Sequence, residues 1–306
     1  MLKKILSHKN KILTHKKTIL FTFGAVVLFT FMVGLVRPLT LSIFYPDSVA
    51  TSAAKKKLPI YCVDTKGKKE VAISFDAAWG ADDTDTLLDI LDKNDVNATF
   101  FLCGYWVEKY PEEVKKIYEA GNDIGNHSDT HPHSSQLSLE QNKKNLMDCH
   151  NKIKDLLGID ANLYRPPFGE YNDTVLTAAL ECGYYPVQWD IDSLDWKEYG
   201  VDHEINQVLN HKHLGNGSII LFHNDAKYTP DSLDAIIKGL KEKGYDIVPI
   251  SQLIHTENYA MDHEGRQIPN DTNNELETTT TENQPKATDE STTNESMTNE
   301  STTNNN

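Results

Sequence analysis

The sequence predicts an α/β fold, either a parallel sheet or a barrel, preceded by one transmembrane helix and followed by a disordered tail. Strand-like and helix-like patterns alternate over about 200 residues between Leu58 and His255, as they do in parallel sheets and barrels. A charge-free apolar run at 18–36 comes before them. From Glu257 to the end of the chain, large apolar residues are almost absent.

The composition indicates one large core between two ends that lack a core. The 306 residues are 39% hydrophobic, which is slightly low for a wholly globular chain, and the shortfall is concentrated towards the C-terminus. The net charge is -15. We therefore expect no nucleic-acid partner, because binding to phosphates requires a basic surface.

The N-terminal residues predict a membrane anchor and a stalk. Residues 1–17 are basic and contain no Asp or Glu, while 18–36 are apolar and about long enough to span a hydrocarbon core of roughly 30 Å. The positive-inside rule predicts a single-pass protein of the cell membrane, with 1–17 in the cytoplasm and everything after Arg37 outside. Residues 37–57 are small, polar and basic, as in a stalk. The alternative is secretion after signal cleavage near Ala50 or Ala53.

Six stretches of the middle region predict strands. The first, EVAISFD, alternates so that Val71, Ile73 and Phe75 share one face. The others are short apolar or alternating runs bounded by polar, glycine or proline residues. In chain order, the predicted strands are 70–76, 98–103, 122–126, 186–191, 218–222 and 246–250.

Five stretches between these strands predict helices. Pro111 begins one of them, Ser138 and Gln141 form a capping box at the start of another, and Asn172 caps a third. Glycines follow the last turns of several, as expected at helix ends. The predicted helices are 84–91, 111–120, 138–157, 172–182 and 229–244.

The C-terminal tail has few large apolar residues, and four cysteines follow the apolar run. Residues 257–306 are rich in Thr, Asn, Glu and Ser and cannot bury enough apolar surface to offset chain entropy, so they predict a disordered tail. Cys62, Cys103, Cys149 and Cys182 match no zinc-ribbon spacing. Disulfides and buried free thiols are both open, because Cys103 ends an apolar run and Cys182 lies near a helix end.

Polar residues follow the predicted strands where each strand ends. The carboxyl ends of parallel strands meet at one edge, so such residues can converge on one site. One residue of this kind means little, but five from separate segments predict a functional site. They are Asp76, His127, Arg165, Asp195 and His223.

A pair of histidines predicts a metal site. His127 and His131 are four apart in NHSDTHPH, a spacing that lets two imidazoles reach one cation from a helix face or from a tight loop. Neutral imidazole is a common ligand for zinc-type cations. The alternative is a histidine-rich surface loop that also includes His133.

The other strand-end residues suggest hydrolytic chemistry, each with a plainer alternative. Asp76 can act as a general base and His223 as a general acid. The plainer alternatives are a strand-end Asp that caps the following turn and a hydrogen-bonded histidine at a strand end. Arg165 precedes two prolines and a glycine that form a turn, and its guanidinium can orient a carboxylate.

Together these segments resemble the polysaccharide deacetylase family, the carbohydrate esterases of family 4 (CE4) that share the NodB homology domain. The resemblance covers Leu58 to Ile254. SFDAAWG resembles the family's TFDDG, HSDTH its H-S/T-x-x-H, RPPFG its R-x-P-Y/F-G, DSLDW its D-x-x-D-W, and LFH its final leucine and histidine. The first motif is similar to that of a sporulation-associated peptidoglycan deacetylase subgroup.

The resemblance implies a distorted (β/α) barrel of the NodB type, with the catalytic domain at 58–256. It also implies a divalent metal at His127 and His131, most commonly zinc, with cobalt or another divalent ion as alternatives. Asp76 would be the general base, and Arg165 would orient it.

The resemblance also implies the remaining roles. Asp195 would orient and charge His223, which would protonate the leaving amine. The backbone N–H of Phe168 would hold the oxyanion, and Trp196 and Leu221 would enclose the acetyl methyl group.

One departure from the family pattern concerns the metal. Ala77 stands where the family usually has a second Asp as the third protein ligand. Asp82, Asp83 and Asp129 are candidate replacements.

We expect a metal-dependent hydrolase that removes N-acetyl groups from an extracellular cell-wall glycan. The preferred substrates are N-acetylglucosamine or N-acetylmuramic acid of peptidoglycan. The alternatives are a catalytically weak or inactive glycan-binding barrel with a wall or sporulation role, and an O-acetyl esterase.

Overall fold

The computed structural model describes residues 57–270. The predicted cytoplasmic segment, the predicted membrane helix at 18–36 and all of the predicted stalk except Lys57 lie outside these residues. Among the helices within 57–270, none combines the length and apolar character needed to cross a bilayer.

Eleven strands are found in the described residues. In chain order they are β1 (Cys62–Val63), β2 (Glu70–Ala77), β3 (Thr99–Leu102), β4 (Asp123–Asn126), β5 (Leu163–Tyr164), β6 (Tyr185–Pro186), β7 (Ile191–Asp192), β8 (Ile219–His223), β9 (Asp246–Ile247), β10 (Tyr259–Met261) and β11 (Arg266–Pro269).

The helices in this part of the chain surround the strands and follow the predicted capping. They are α1 (Thr84–Lys93), α2 (Gly104–Lys109), α3 (Pro111–Glu119), α4 (Leu139–Leu157), α5 (Asp173–Glu181), α6 (Val201–Leu209), α7 (Thr229–Glu242) and α8 (Ile250–Leu253). Both halves of the capping box between Ser138 and Gln141 are formed at the start of α4, and Gly158 ends it in the left-handed conformation. The Asn172 side chain accepts a hydrogen bond from the Val175 N–H at the start of α5.

The main sheet is a distorted, incompletely closed barrel. Its strands are parallel and follow the order β6-β5-β4-β3-β2-β8-β7, and β9 pairs with β2 at one end. The segment at Ile60 bridges towards Val187, beyond the β6 edge. The strand pairings in this sheet are parallel, so the carboxyl ends of the strands share one edge. The predicted α/β barrel class agrees with this arrangement.

The two faces of β2 have different environments, as the alternation predicts. Val71, Ile73 and Phe75 are fully buried in the apolar cluster between strands and helices. The alternate residues point into the barrel, where Ala72 packs in a second cluster with Phe101. Asp76 belongs to this inward-facing set and lies at the strand end. The two-residue alternation of side chains along β2 therefore directs its carboxylate into the mouth of the barrel.

Two predictions of local structure are wrong. The predicted strand 186–191 is two short strands, Tyr185–Pro186 and Ile191–Asp192, separated by a link that carries Gln188. The tail does not begin at 257, because β10 and β11 form an antiparallel hairpin whose second strand pairs with β1. The hairpin buries Tyr259 and Met261 against the barrel. These two apolar residues were overlooked because the composition of the surrounding region is mostly polar. Residues 271–306 lie outside the described residues.

The four cysteines are free thiols in this structure. Cys62, Cys103 and Cys149 are buried, and Cys182 is partly buried at the end of α5. Burial raises the pKa of the Cys62 thiol to about 12, so this group is protonated at neutral pH. The sequence left disulfides and free thiols open, and the structure agrees with free thiols.

Candidate active site

The carboxyl ends of β2, β4, β5 and β8 bring four of the predicted residues together. Asp76 on β2 is in register with His223 on β8. His127 directly follows β4 and Arg165 directly follows β5, and the Arg165 N–H donates to the carbonyl of Asn126 at 2.9 Å. The convergence predicted from strand ends is therefore found in the structure.

Arg165 holds the Asp76 carboxylate. Its Nη1 donates to Asp76 Oδ1 at 2.8 Å, and neither side chain is more than 6% exposed. Burial by itself raises the pKa of Asp76, but the Arg165 guanidinium, with a smaller contribution from nearby histidines, brings the pKa below its ordinary value. Asp76 is therefore a carboxylate at neutral pH.

The polar interior around Arg165 explains how a buried guanidinium is tolerated. Its Nη2 donates to Ser74 Oγ at 2.9 Å and to the Gln188 carbonyl at 3.1 Å, and its guanidinium carbon lies 4.1 Å from the centre of the Phe101 ring. Neither Ser74 nor Gln188 was predicted from the sequence. The signal for Ser74 was its place on the inward face of β2, two residues before Asp76, where a polar residue needs a partner.

The two predicted metal-binding imidazoles lie side by side in a loop. The ring centres of His127 and His131 are 5.0 Å apart. His127 Nδ1 lies 2.7 Å from the Arg165 carbonyl, so this nitrogen is the donor and Nε2 is left with a lone pair. Nε2 lies 3.6 Å from Asp76 Oδ2.

Both imidazoles are suited to bind a cation because both are neutral. Burial lowers the pKa of His127, and burial followed by the neighbouring His127 lowers the pKa of His131 to about 4. Neutral imidazole with a free nitrogen is the form that coordinates metal. The pair therefore fits a divalent cation as two of its ligands.

In the part of the chain that the structure describes, no third protein ligand lies near this pair. Within residues 57–270, no group of three or more His, Cys, Asp or Glu side chains is arranged to hold a metal ion. Ala77 is fully buried in the apolar cluster. Among the candidate replacements, Asp129 is engaged elsewhere, since its Oδ1 accepts from Lys152 Nζ at 2.6 Å.

Asp195 fixes His223 from the other side of the site. His223 Nδ1 donates to Asp195 Oδ1 at 2.8 Å, and the His223 N–H donates to Oδ2 of the same carboxylate at 2.6 Å. Thr229 Oγ1 also donates to Oδ2, at 3.1 Å. Burial lowers the pKa of His223, but the hydrogen bond and charge of Asp195 outweigh it, so the net pKa is raised.

This pair predicts a specific pH effect. In Asp195→Asn the charge that raises the His223 pKa is gone, so His223 loses its proton at a lower pH. If protonated His223 is required, the alkaline limb of the kcat/KM profile moves to lower pH. The measurement is acetate release from pH 5 to 10, with Asp192→Asn as the control because Asp192 is a smaller contributor to the same pKa. An unchanged alkaline limb in Asp195→Asn would contradict the assignment.

Three further residues lie at the same edge of the barrel. Leu221 is buried on the inward face of β8, in register with Ser74. Phe168 and Trp196 are 54% and 56% exposed, so neither is enclosed in the described structure. Their roles at the oxyanion and the acetyl group stay predictions.

Unfavourable backbone conformations occur at this site. Ser128, His131, Phe168 and Leu194 all have positive φ, between 51° and 71°. Non-glycine residues adopt this region rarely, and such strain is often found at functional sites. Asn126 steadies the histidine loop, because its Oδ1 accepts from the Ser128 N–H at 2.8 Å and its Nδ2 donates to the Leu146 carbonyl at 2.9 Å.

Comparison with known proteins gives matches over the same region. Residues 63–187 match the family model described as polysaccharide deacetylase. A peptidoglycan-N-acetylglucosamine deacetylase of Bacillus cereus is 35% identical over 193 residues, which are 62% of this chain and 70% of that protein. The peptidoglycan-N-acetylmuramic acid deacetylase PdaC of Bacillus subtilis is 35% identical over 186 residues, which are 61% of this chain but only 39% of PdaC.

Solved structures of two kinds resemble the chain. One is a peptidoglycan N-acetylglucosamine deacetylase in complex with a hydroxamate-type ligand, with 33% identity and a TM-score of 0.61 over 65% of this chain and 93% of that one. Another is a wild-type CE4-family pseudoenzyme from Bacillus anthracis, with 30% identity and a TM-score of 0.62 over 70% of this chain and 73% of that one. A mutant of this pseudoenzyme with restored enzymatic activity is 34% identical, with a TM-score of 0.61 over 64% and 71% of the two chains.

Proposed function

The chain belongs to the polysaccharide deacetylase family, a family of de-N-acetylase hydrolases, and we propose that it removes N-acetyl groups from peptidoglycan. The substrate sugar in this proposal is N-acetylglucosamine or N-acetylmuramic acid, the two named for similar proteins. One observation carries the proposal above the others. Asp76 and His223 lie in register on paired strands, and their separate partners move their pKa values in opposite directions.

Opposite pKa shifts suit the two proton transfers of amide hydrolysis. Asp76, ionised and oriented by Arg165, accepts the proton of the attacking water. His223, kept protonated by Asp195, donates a proton to the leaving amine. An amide has a poor leaving group, so this second proton is as necessary as the first.

The chain's other residues bind and surround the acetyl group in this proposal. The N–H of Phe168 donates to the oxyanion that forms at the acetyl carbon. Leu221 and Trp196 contact the acetyl methyl group. His127 and His131 would hold a divalent cation, zinc in our proposal, which would supply Lewis acidity to polarise the acetyl oxygen and lower the pKa of water.

The general test of the proposal is acetate release by the full chain. The protein is stripped with a chelator and then supplied with zinc, cobalt or no metal, with peptidoglycan or N-acetylglucosamine oligomers as substrate. We expect release that depends on the added metal. A folded protein that releases no acetate with any metal would refute the hydrolase proposal.

His131 and His133 lie in the same loop, and comparing substitutions at these two positions provides a sharper test of the metal site. In His131→Ala we expect zinc affinity to fall by more than about 100-fold, because one imidazole is left to hold the ion. His133→Ala is the control, since the His133 side chain is 53% exposed and its Nδ1 lies 3.0 Å from Glu170 Oε2. Zinc binding is measured by calorimetry, and metal-dependent acetate release is measured in parallel. Equal losses in the two variants would exclude the predicted ligand pair.

A second candidate function is glycan binding with weak or no turnover. Two observations favour it. Ala77 removes the carboxylate that would have been a third ligand, and the chain resembles a wild-type CE4-family pseudoenzyme. Binding of N-acetylglucosamine oligomers without acetate release, unchanged in Asp76→Asn, would support this function over hydrolysis.

The proposed location is the outer side of the cell membrane. The basic residues of 1–17 and the apolar run at 18–36 support a single-pass anchor with a cytoplasmic N-terminus. The resemblance of SFDAAWG to a sporulation-associated subgroup supports wall or spore peptidoglycan as the substrate. Accessibility of the folded region to protease added to intact cells tests the orientation, and fractionation into membranes separates anchoring from secretion.

A further inference from the structure

Trp79 is a large exposed aromatic residue beside the proposed reaction site. It has no part in the proposed proton transfers or in metal binding. Its side chain is 58% exposed. Its ring centre lies 5.5 Å from that of His131 and 6.4 Å from that of His223. The indole is therefore next to both the proposed metal-binding imidazole and the proposed acid.

The loop that carries Trp79 is fixed by side chains from other segments. The Gly80 carbonyl accepts from Trp106 Nε1 at 2.9 Å and from Asn224 Nδ2 at 2.8 Å, while the Gly80 N–H donates to Asp225 Oδ2 at 3.1 Å. The hydroxyl of Tyr105 donates to the carbonyl of residue 78. These bonds hold the backbone on both sides of Trp79, so the indole is exposed on a rigid support.

Close packing confirms how tightly this loop is held. A Cβ added at Gly80 would lie 2.4 Å from Asp225 Oδ1, closer than any real contact. The neighbouring Trp106, by contrast, is fully buried. Trp106 therefore anchors the loop from the protein interior, while Trp79 faces solvent at the mouth of the site.

A second exposed aromatic lies on the other side of the same imidazole. The ring centre of Phe168 is 4.4 Å from that of His131, and its side chain is 54% exposed. Exposed apolar surface that is fixed at the mouth of a site usually marks a place where a ligand binds. A sugar ring offers a face of C–H groups, and these pack well on the electron-rich face of an indole.

We propose that Trp79 is a binding platform for the glycan, on which the pyranose ring bearing the reacting acetamido group stacks. The inference rests on the proposed function, because the ring adjoining the acetyl group is a sugar only if the substrate is a glycan. The acetamido group points inward between His131 and His223, and the sugar ring stays outside on the indole. Trp79 thus determines specificity for sugar-bound acetyl groups over free ones.

A merely shielding role for Trp79 makes a different prediction. If the indole only keeps water from the imidazoles, its removal lowers turnover of every acetyl substrate equally. If the indole binds the sugar ring, its removal raises KM for a glycan and leaves kcat for that glycan nearly unchanged. Glycan binding measured without turnover separates the two roles directly.

The experiment uses the full chain after treatment with a chelator, so that substrate is bound without being consumed. Binding of the tetramer of N-acetylglucosamine is measured by calorimetry. We expect Trp79→Ala to bind about tenfold more weakly and Trp79→Phe to keep most of the affinity, because an aromatic face remains. Tyr118→Ala is the control, since Tyr118 is also exposed but lies on α3, whose C-terminal end leads into the amino end of β4.

The possible outcomes separate this inference from the proposed function. Affinity in Trp79→Ala within about twofold of the unaltered chain, or an equal loss in Tyr118→Ala, would overturn the platform. Absence of tetramer binding by the unaltered chain would overturn it as well. Tetramer binding that depends on Trp79, without acetate release under any metal, would refute the hydrolase and leave the platform standing.

Discussion

Asp76→Asn is expected to lower acetate release from peptidoglycan by about 100- to 10,000-fold, the range typical for loss of a general acid–base group. The substitution keeps the shape of the side chain and removes its ability to accept a proton. Arg165 and His127 both lie close to this carboxylate, so the substitution removes the charge that both of them face. The measurement is kcat/KM at saturating metal.

The control for this variant is a surface carboxylate that forms an ion pair with a lysine on the same helix. Asp148 on α4 accepts from Lys144 Nζ at 2.6 Å at the surface, so Asp148→Asn should keep full activity. Thermal unfolding of both variants distinguishes a lost base from a lost fold. Activity of Asp76→Asn within about twofold of the unaltered chain, in a folded protein, would remove Asp76 from the mechanism.

Arg165→Met is expected to destabilise the protein by about 3–5 kcal/mol, which is large compared with most single substitutions. Methionine fills much of the same space, so the loss is mainly electrostatic. It leaves the Asp76 carboxylate buried without its cation, and it also removes the hydrogen bond to Ser74. The measurement is the free energy of unfolding from urea denaturation.

The pH dependence of that loss follows from the direction of the Asp76 shift. Arg165 holds the Asp76 pKa down, so its stabilising effect is present above the pKa of an unfolded Asp and fades as pH falls. In Arg165→Met the Asp76 pKa rises and the group takes up a proton more easily. The gap in stability between the two proteins should therefore be largest at neutral pH and smaller in acid.

A double-mutant cycle isolates the ion pair. Asp76→Asn and Arg165→Met together should cost less than the sum of the two single changes, since neither charge is then left buried alone. Arg266→Met is a matched control, because Arg266 is partly buried and its Nη1 makes a longer hydrogen bond, 3.3 Å, to the Val63 carbonyl. If the two single costs add without coupling, the ion pair does not stabilise the site as described.

Sequence patterns predicted those parts of the fold that depend on residues close together along the chain. The capping box at Ser138, the cap at Asn172 and the alternation of β2 are all found, because each involves residues within a few positions of one another. Helix α6 and the hairpin of β10 and β11 were missed. The hairpin gains its stability from pairing with β1 far earlier in the chain, so its local composition carries little signal.

The candidate site shows the same division. The sequence identified Asp76, His223 and the histidine pair because motifs preserve residue type and order. It could not identify Ser74 as a partner of Arg165, or Trp79 as a neighbour of His131. Those contacts join residues 91 positions apart in the first case and belong to different loops in the second.

The sequence by itself determined the α/β class, the family resemblance and the residue types available for chemistry. Only the tertiary structure decided which of these residues meet, which nitrogen of His127 stays free, and that both imidazoles of the pair are neutral. The physical reason is that a pKa and a tautomer depend on burial and on partners from distant segments. The chain supplies the groups in order, and the register of the parallel strands places them in contact.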